Sequence, residues 1–430
     1  MRLRDGPPDD LARRRDVADE ALDLTHGPDA GVQVAVLEHL PPARARDERL
    51  HVGELPAGGE DLHDLVRDGV LRDAGGVAEA PEDEVRVEFG CGHDALLDRL
   101  RDGRFDGAHE PRAHVDPVRA EREGGHSNVT YLLELDGRRL VLRRGPRPPL
   151  PPTTHDMLRE ARIQRLLAAT GVPVPQILAV CDDESVLGVP FYVMEHLDGV
   201  VVTDTIPAAL ADPAGRRGLA FAAVDALAAL HAVDVTAGEL AQIGRPDGYL
   251  TRQVDRFATL WPTVSRRVLP EVDQVAAWLA AHLPASAGSS VVHGDFRIGN
   301  LMLARSAPAA VEAILDWEMA TVGDPLADLG YFIATYAEPG AVATPLELTP
   351  VTRGDGFPRR RDLVARYVDR TGADVSALAW YQTLALFKAA VFCEAIHTRW
   401  LAGERPGDTF APTLTAGVPA LLAEAQRVSA

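Results

Sequence analysis

The sequence predicts an α+β protein in which a small antiparallel sheet precedes a larger, mostly helical region. Short β-branched or aromatic runs separated by turn residues lie upstream, as is typical of strands. These runs are residues 131–135, 140–143 and 191–195. From about residue 200 onward, apolar residues recur at helical spacing. The predicted helices are residues 216–233, 272–282, 361–371 and 377–400.

The first two predicted strands are separated by Asp136 and Gly137, a pair that favours a tight hairpin turn. A glycine-containing segment, Gly124-Gly125-His126-Ser127-Asn128, lies just ahead of the first strand, where a loop would be able to fold over phosphates. Such a loop is more often only a turn, so its interpretation depends on chemistry found further along the chain. Residues 155–170 are predicted to form a helix between the second and third strands.

The most informative segment is residues 291–330, which contains His293, Asp295, Asn300 and Asp316 in that order. Transfer of a γ-phosphoryl group to a hydroxyl requires a carboxylate that accepts the hydroxyl proton and oxygen ligands for Mg²⁺. Asp295 suits the first task, and Asn300 and Asp316 suit the second. The apolar run at residues 311–315 reads as a strand that ends at Asp316.

Taken singly, each of these residues is more often a turn or capping residue than a catalytic one. Their joint order favours phosphoryl transfer, because protein kinases use an HRD…N loop followed by DFG in the same arrangement. Here HGDFRIGN is followed by DWE. Glu318 either assists at the metal or supports the loop. Asp324 before Pro325 is predicted to cap a helix, and Asp328 is predicted to tie back to the loop that contains Asp295; both are predicted to be structural.

These motifs resemble those of the aminoglycoside phosphotransferase and choline kinase-like family. They are most similar to the kinase-like domains joined to acyl-CoA dehydrogenases. Other segments appear in the order of that family, from about residue 116 to the C-terminus: GGHSNVTYLLELDGRRLVLRR, REARIQRLL, GVPVPQILAVCDDESVLGVPFYVMEHLDG and LALFKAAVFCEAIHTRW.

The resemblance implies a bilobal, protein-kinase-like fold that uses ATP and Mg²⁺. Residues 111–198 would form the nucleotide-binding N-lobe and residues 199–430 the helical C-lobe. The implied reaction is phosphorylation of a small-molecule acceptor, either hydroxyacyl-CoA-like or aminoglycoside-like, with a functional link to acyl-CoA dehydrogenases. The alternative is a nucleotide-binding pseudokinase that acts as a regulatory module, because a fold alone does not prove turnover.

The nucleotide would contact residues of the predicted N-lobe. Kinases need a cation for the α- and β-phosphates, paired with a helix glutamate. The only lysine, Lys388, lies far along the chain in an apolar helix, so it is predicted to be remote from the phosphates. Arg143 is therefore predicted to bind the α- and β-phosphates, with Glu160 as its partner. Arg144 is the alternative, because strand alternation points only one of the two arginines toward the cleft. The remaining predicted nucleotide contacts are Gly125, Ser127 and Asn128 for the phosphates, and Met194, Glu195 and His196 for adenine.

Composition limits the other possibilities. A net charge of −20 argues against nonspecific nucleic-acid binding. The chain has no apolar run long enough to span a bilayer, so no membrane partner is expected. Its three cysteines lack metal-like spacing, which favours reduced thiols and a cytoplasmic protein.

The N-terminal residues 1–110 form a compositionally biased extension. Up to His126 the chain contains no Lys, Ser, Asn, Ile, Tyr or Trp. Such a repertoire is poorly suited to an ordinary core. Residues 1–110 are therefore expected to be disordered or to follow from a misassigned start codon, with a small accessory domain as the alternative.

Overall fold

The structure, a computed structural model, describes residues 84–87, 118–123, 128–135, 138–145, 156–405 and 407–430. Its strands are β1 Glu84–Val87, β2 Val118–Glu123, β3 Val129–Leu135, β4 Arg138–Arg144, β5 Ile177–Cys181, β6 Phe191–Glu195, β7 Val200–Val201, β8 Ser290–Val292, β9 Leu301–Leu303, β10 Val311–Ile314 and β11 Thr321–Gly323. Its α-helices are α1 Met157–Ala168, α2 Glu184–Leu187, α3 Pro213–His231, α4 Tyr249–Val264, α5 Pro270–Ala281, α6 Pro325–Thr335, α7 Arg360–Thr371, α8 Leu378–Leu401 and α9 Leu414–Ser429.

The first six strands form one antiparallel sheet in the order β1-β2-β3-β4-β6-β5. The predicted hairpin is present, because β3 and β4 pair from Val129 with Arg144 to Leu135 with Arg138. Strand alternation places apolar side chains such as Leu133, Leu142 and Phe191 in one buried cluster. Tyr192, on the opposite face of β6, packs with Met157 and Ala161 of α1.

The larger lobe has a single core built mainly from helices. Helix α8 lies at its centre and packs against α4, α5, α6 and α9. A helix that is apolar around its whole circumference is expected to be buried on all sides. The aromatic residues predicted to belong to this core do so, since Trp380, Phe387 and Phe392 are buried. Among the described residues, no helix combines the length and apolarity that crossing a bilayer requires.

Two small antiparallel sheets lie between the helices and carry the polar segment singled out in the sequence. One pairs β8 with β11, and the other pairs β9 with β10, with β7 on its far side. The predicted strand before Asp316 is present as β10. The overall arrangement is the predicted α+β bilobal fold, with a small antiparallel sheet followed by a larger helical lobe.

The edge strand β1 lies within residues 1–110 and pairs with β2. The rest of residues 1–110 lies outside the described residues, so the expectation for that extension stays a prediction.

Candidate active site

The loop between β8 and β9 brings His293 and Asp295 into the interior. His293 is fully buried, and its Nε2 lies 2.8 Å from the carbonyl oxygen of Leu315. Its Nδ1 accepts a hydrogen bond from the Asp295 amide at 3.2 Å. Because a carbonyl only accepts and an amide only donates, these contacts assign the neutral tautomer with the proton on Nε2. His293 therefore links the loop around Asp295 to the segment that precedes Asp316.

Gly294 is required by both conformation and space. Its φ is +87°, in the left-handed region, and a Cβ built on it would lie 2.8 Å from Met319. The glycine lets the backbone turn so that the next residue, Asp295, enters the cleft.

Asp328, on the first turn of α6, holds this loop in place. Its carboxylate accepts hydrogen bonds from the amides of His293 at 2.6 Å and Gly294 at 2.8 Å. Burial raises the pKa of Asp328, but hydrogen bonding from His231 and the loop outweighs it and leaves the pKa below the ordinary value. Asp324 caps α6 by accepting from the Leu326 amide, as predicted. Asp328 thus supports the loop directly, and Asp324 supports the start of the helix that carries Asp328.

The Asp295 carboxylate is held from both sides. Tyr331 donates a short hydrogen bond to Oδ1, and the Asn300 side-chain amide donates to Oδ2 at 2.8 Å. Burial raises the pKa of Asp295, opposed by the positive charge of Arg297, whose Nε lies 3.6 Å from Oδ2. The result is a fixed, buried carboxylate with a raised proton affinity, which suits a group that accepts a proton.

Asp316 follows β10 in an uncommon backbone conformation. Its φ is +66°, and it is the only non-glycine residue with positive φ in the described part of the chain. Such strain persists where the surroundings fix it, commonly at functional sites. The Leu315 amide donates to the Asn300 carbonyl at 2.8 Å, which joins the two loops. Asn300 and Asp316 are thereby brought to the same side of the cleft.

Arg143 joins the two lobes. Its Nε lies 3.2 Å from Oε1 of Glu160, the partner predicted from sequence, and its terminal nitrogen lies 2.5 Å from Oδ1 of Asp316. Glu160 is 1% exposed and also accepts a hydrogen bond from Tyr192 at 3.0 Å. Burial raises the pKa of Glu160, and the Arg143 charge opposes that rise. Arg144 points elsewhere, with contacts to the Tyr131 hydroxyl and the Gly145 carbonyl. The structure thus selects Arg143 as the arginine that faces the cleft.

A second contact between the lobes joins Asn128 to Glu318. The side-chain amide of Asn128 donates to Oε2 of Glu318 at 2.8 Å. Burial and then the negative charge of Asp316 raise the pKa of Glu318 to about 8. Gly125 and Ser127, predicted from sequence to bind phosphates, lie outside the described residues.

The predicted adenine contacts lie where β6 leaves the sheet. Met194 is paired with Val141 of β4. The Glu195 amide donates to the Gln176 carbonyl at 3.0 Å, and its carboxylate accepts from the Gln176 amide at 2.8 Å. His196 follows directly in the connection to β7. None of these three residues is among those that line the cleft beside Asp295, so the adenine assignment stays a prediction.

The donor set fits Mg²⁺. Asn300 and Asp316 offer oxygen ligands, which hard cations prefer, and the described residues contain no cluster of three or more His, Cys, Asp or Glu that would hold a metal alone. Mg²⁺ is commonly bound by one or two protein side chains together with substrate phosphates. The amide nitrogen of Asn300 is engaged by Asp295, which leaves its oxygen for a metal.

The cleft beside Asp295 corrects one prediction. Lys388 of α8 lines this cleft with Asp295, Asp316 and Tyr331, although it was predicted to be remote. The prediction was wrong because distance along the chain does not set distance in space, and α8 crosses the centre of the lobe.

Two further residues were missed by the sequence reasoning. Arg297 is a cation two residues beyond Asp295 in the same loop, and this proximity was the available signal. Tyr331 lies three residues after Asp328 on α6, so the two side chains share a helix face. The prediction that Asp328 supports this loop would have placed Tyr331 near Asp295 as well.

The fold and this loop geometry define a small-molecule phosphotransferase of the protein-kinase-like type. The model of the phosphotransferase enzyme family matches residues 119–363, more than half of the chain, and the chain belongs to this family.

Two curated relatives bear the names of acyl-CoA dehydrogenase family members. Acyl-CoA dehydrogenase family member 11 of Homo sapiens is 33% identical over 308 residues, which cover 69% of this chain and 39% of that protein. Family member 10 of Mus musculus is 33% identical over 294 residues, or 66% of this chain and 27% of that protein. The chain thus spans less than two fifths of the length of these relatives.

Among solved structures, a Ralstonia eutropha protein assigned as an aminoglycoside phosphotransferase is 28% identical. The match covers 78% of this chain and 98% of that one, with a TM-score of 0.63. Macrolide 2'-phosphotransferase type I shares the fold at 20% identity and a TM-score of 0.50, over 78% of this chain and 98% of that one.

Proposed function

We propose that the protein transfers the γ-phosphoryl group of ATP to a hydroxyl group of a small molecule. The observation that carries the proposal is the buried Asp295 carboxylate, fixed by Tyr331 and Asn300 in the cleft that Asp316 also lines. A pseudokinase would not need this combination, because a regulatory module has no use for a fixed proton acceptor. Membership of the phosphotransferase enzyme family supports the same conclusion.

The proposed reaction begins when the acceptor hydroxyl meets Asp295. The carboxylate orients the hydroxyl and takes its proton while the hydroxyl oxygen attacks the γ-phosphorus, and ADP leaves with the bridging oxygen. Tyr331 and Asn300 keep the carboxylate aimed into the cleft. Arg297 contributes a positive charge beside the transferred group; its Nε is buried and has no hydrogen-bond partner among the described residues.

Asn300 and Asp316 would hold Mg²⁺, which supplies charge neutralisation at the phosphates when bound. Arg143, fixed by Glu160, would contact the phosphates as a planar fork. The loop that contains Gly125, Ser127 and Asn128 would cover them, and Met194 to His196 would lie against adenine. Glu318, tied to Asn128, is proposed to support this arrangement.

The acceptor is proposed to be acyl-like, of the hydroxyacyl-CoA kind, rather than aminoglycoside-like. Two observations support this choice. The relatives described above bear names of acyl-CoA dehydrogenases, and the cleft beside Asp295 has apolar lining from Met319, Ala389 and Phe392.

A mass-spectrometric screen of phosphorylated products tests the proposed function. Purified protein would be incubated with Mg·ATP and hydroxyacyl-CoAs, aminoglycosides, amino alcohols or sugars. The proposal predicts a product heavier by one phosphoryl group with a hydroxyacyl compound. Nucleotide binding, seen as a thermal shift, without transfer to any acceptor would instead support a regulatory module.

A further inference from the structure

The cleft beside Asp295 contains one cation among its lining residues in the described part of the chain. That cation is Lys388, the only lysine of the protein. Its neighbours along the cleft wall, Met319, Ala389 and Phe392, are apolar. The acidic lining residues, Asp295, Asp316 and Glu318, complete the cleft. An acceptor whose hydroxyl reaches Asp295 would therefore pass both an apolar wall and an ammonium group.

Lys388 has no carboxylate partner. Within the described ranges it makes no ion pair and no hydrogen bond, and its ammonium lies 5.1 Å from the ring centroid of Phe257. The acid on its own helix, Glu394, is bound by Arg267 instead, with Nε 3.1 Å from both carboxylate oxygens. Withdrawing a cation from water without an ionic or hydrogen-bonding partner costs free energy, and the contact with the Phe257 ring offsets only part of that cost. A purely structural role gives no reason for such a cost in the wall of a cleft.

The carboxylates of the cleft are also engaged elsewhere. Asp295 accepts from Tyr331 and Asn300, Asp316 is paired with Arg143, and Glu318 accepts from Asn128. Their oxygens are therefore bound by groups other than Lys388, which leaves the ammonium of Lys388 available to an anionic group in the cleft.

Burial, assisted by the nearby positive charge of Arg256, lowers the pKa of Lys388 to about 8, while Asp328 and Asp295 oppose that change. With this pKa the side chain remains mostly protonated at neutral pH. It is a cation that gains strongly from an anionic partner.

We infer that Lys388 is an acceptor-specificity residue that binds an anionic oxygen group of the acceptor, either a carboxylate or a phosphate. The apolar part of the same acceptor would lie against Met319 and Phe392. The inference rests on the proposed phosphotransfer and makes it more specific. A cationic group of an acceptor would be repelled at this position, since it would lie beside the Lys388 ammonium.

The test uses three straight-chain alcohols of one length, ω-hydroxybutanoate, ω-hydroxybutanamide and ω-aminobutanol, which end in a carboxylate, a neutral amide and an ammonium group. Because the chain has one lysine, trace acetylation by acetic anhydride, read by peptide mass spectrometry, reports on the Lys388 side chain. Hydroxybutanoate is expected to slow its acetylation relative to hydroxybutanamide at the same concentration. Equal labelling rates with these two compounds would overturn the inference. Aminobutanol is compared only as an acceptor in the transfer assay, because its own amine would consume the anhydride.

The second readout is the Michaelis constant for hydroxybutanoate and that for ATP, each measured in the native protein and in variants of Lys388. Lys388→Met is expected to raise the constant for hydroxybutanoate by about ten- to a hundredfold, the range of a hydrogen bond to a charged group, and to leave that for ATP nearly unchanged. Lys388→Arg keeps the charge and should recover most of the affinity. Arg256→Met is the matched control, because it removes a nearby exposed cation that does not line the cleft.

The possible failures are distinguishable. Protection of Lys388 by hydroxybutanoate without phosphate transfer to any compound would support the anion site and contradict the proposed phosphotransfer. Transfer with the same hydroxybutanoate Michaelis constant in the native protein and in Lys388→Met would support phosphotransfer and overturn the role of Lys388.

Discussion

Replacement of Arg143 by Ala is expected to destabilise the protein and to impair ATP use together. In the native protein Arg143 contacts Glu160 and Asp316, and Glu160 is 1% exposed. Removing one partner of a buried ion pair typically costs about 3–5 kcal/mol, because the remaining charge is left without compensation. For a folded region of this size, that corresponds to a fall in melting temperature on the order of 10 °C.

The stability loss should depend on pH in a defined direction. Burial raises the pKa of Glu160, and loss of the opposing Arg143 charge would raise it further. A carboxyl whose folded pKa lies above its unfolded value contributes stability that is complete below the unfolded pKa and is lost as the pH rises through the folded pKa. Because the unfolded state is the same in both proteins, the difference in stability between native and Arg143→Ala proteins should grow as the pH rises through the pKa of Glu160 in the native fold, which burial holds above the ordinary glutamate value.

Thermal unfolding across this pH range, combined with steady-state kinetics, measures both effects. Adding Glu160→Gln to Arg143→Ala should restore part of the melting temperature, because a neutral amide remains beside Tyr192. Arg143→Lys should keep measurable activity with weaker ATP use, since Lys supplies charge without the two-point fork. Arg144→Ala is the matched control and should have a small effect. A pH-independent loss in Arg143→Ala, or a greater activity loss in Arg144→Ala, would refute the reasoning.

Two other predictions concern the metal and the N-terminal extension. Asp316→Ala should abolish productive Mg·ATP binding, because the metal loses an anionic ligand beside the triphosphate; unchanged nucleotide affinity and Mg²⁺ dependence in titrations would move this role to another residue such as Glu318. Deletion of residues 1–105 should leave a soluble, nucleotide-binding protein, because β1 is an edge strand and the family match begins at residue 119. Insoluble truncated protein beside a well-behaved full-length chain would contradict that expectation.

The sequence predicted much of the fold because its periodic patterns are local. The predicted strand at residues 191–195 is β6, and the predicted helix at residues 361–371 is α7 within one residue. Helix α4 was missed. It contains Pro262 in its last turn, and proline normally argues against a helix interior.

The parts of the candidate site that depend on tertiary contacts were harder to predict from the sequence. The order of Asp295, Asn300 and Asp316 is visible along the chain; Asp295 and Asp316 line one cleft, and Asn300 donates a hydrogen bond to Asp295. From the sequence alone, Glu160 is equally compatible with an exposed charge on the helix surface and with a partner of Arg143. Its burial beside Arg143 favours the second interpretation. The position of Lys388 required the packing of α8 across the lobe, which no local pattern encodes.

The Asp295→Asn variant tests the central claim most directly. Turnover of an acceptor identified by the product screen would be measured at saturating Mg·ATP, together with ATP affinity and melting temperature. Proton acceptance by Asp295 predicts a fall in turnover of roughly two to four orders of magnitude, with ATP affinity and melting temperature nearly unchanged, because the amide keeps the shape but loses the base. Turnover equal to that of the native protein would contradict the assignment of Asp295 and, with it, the proposed mechanism.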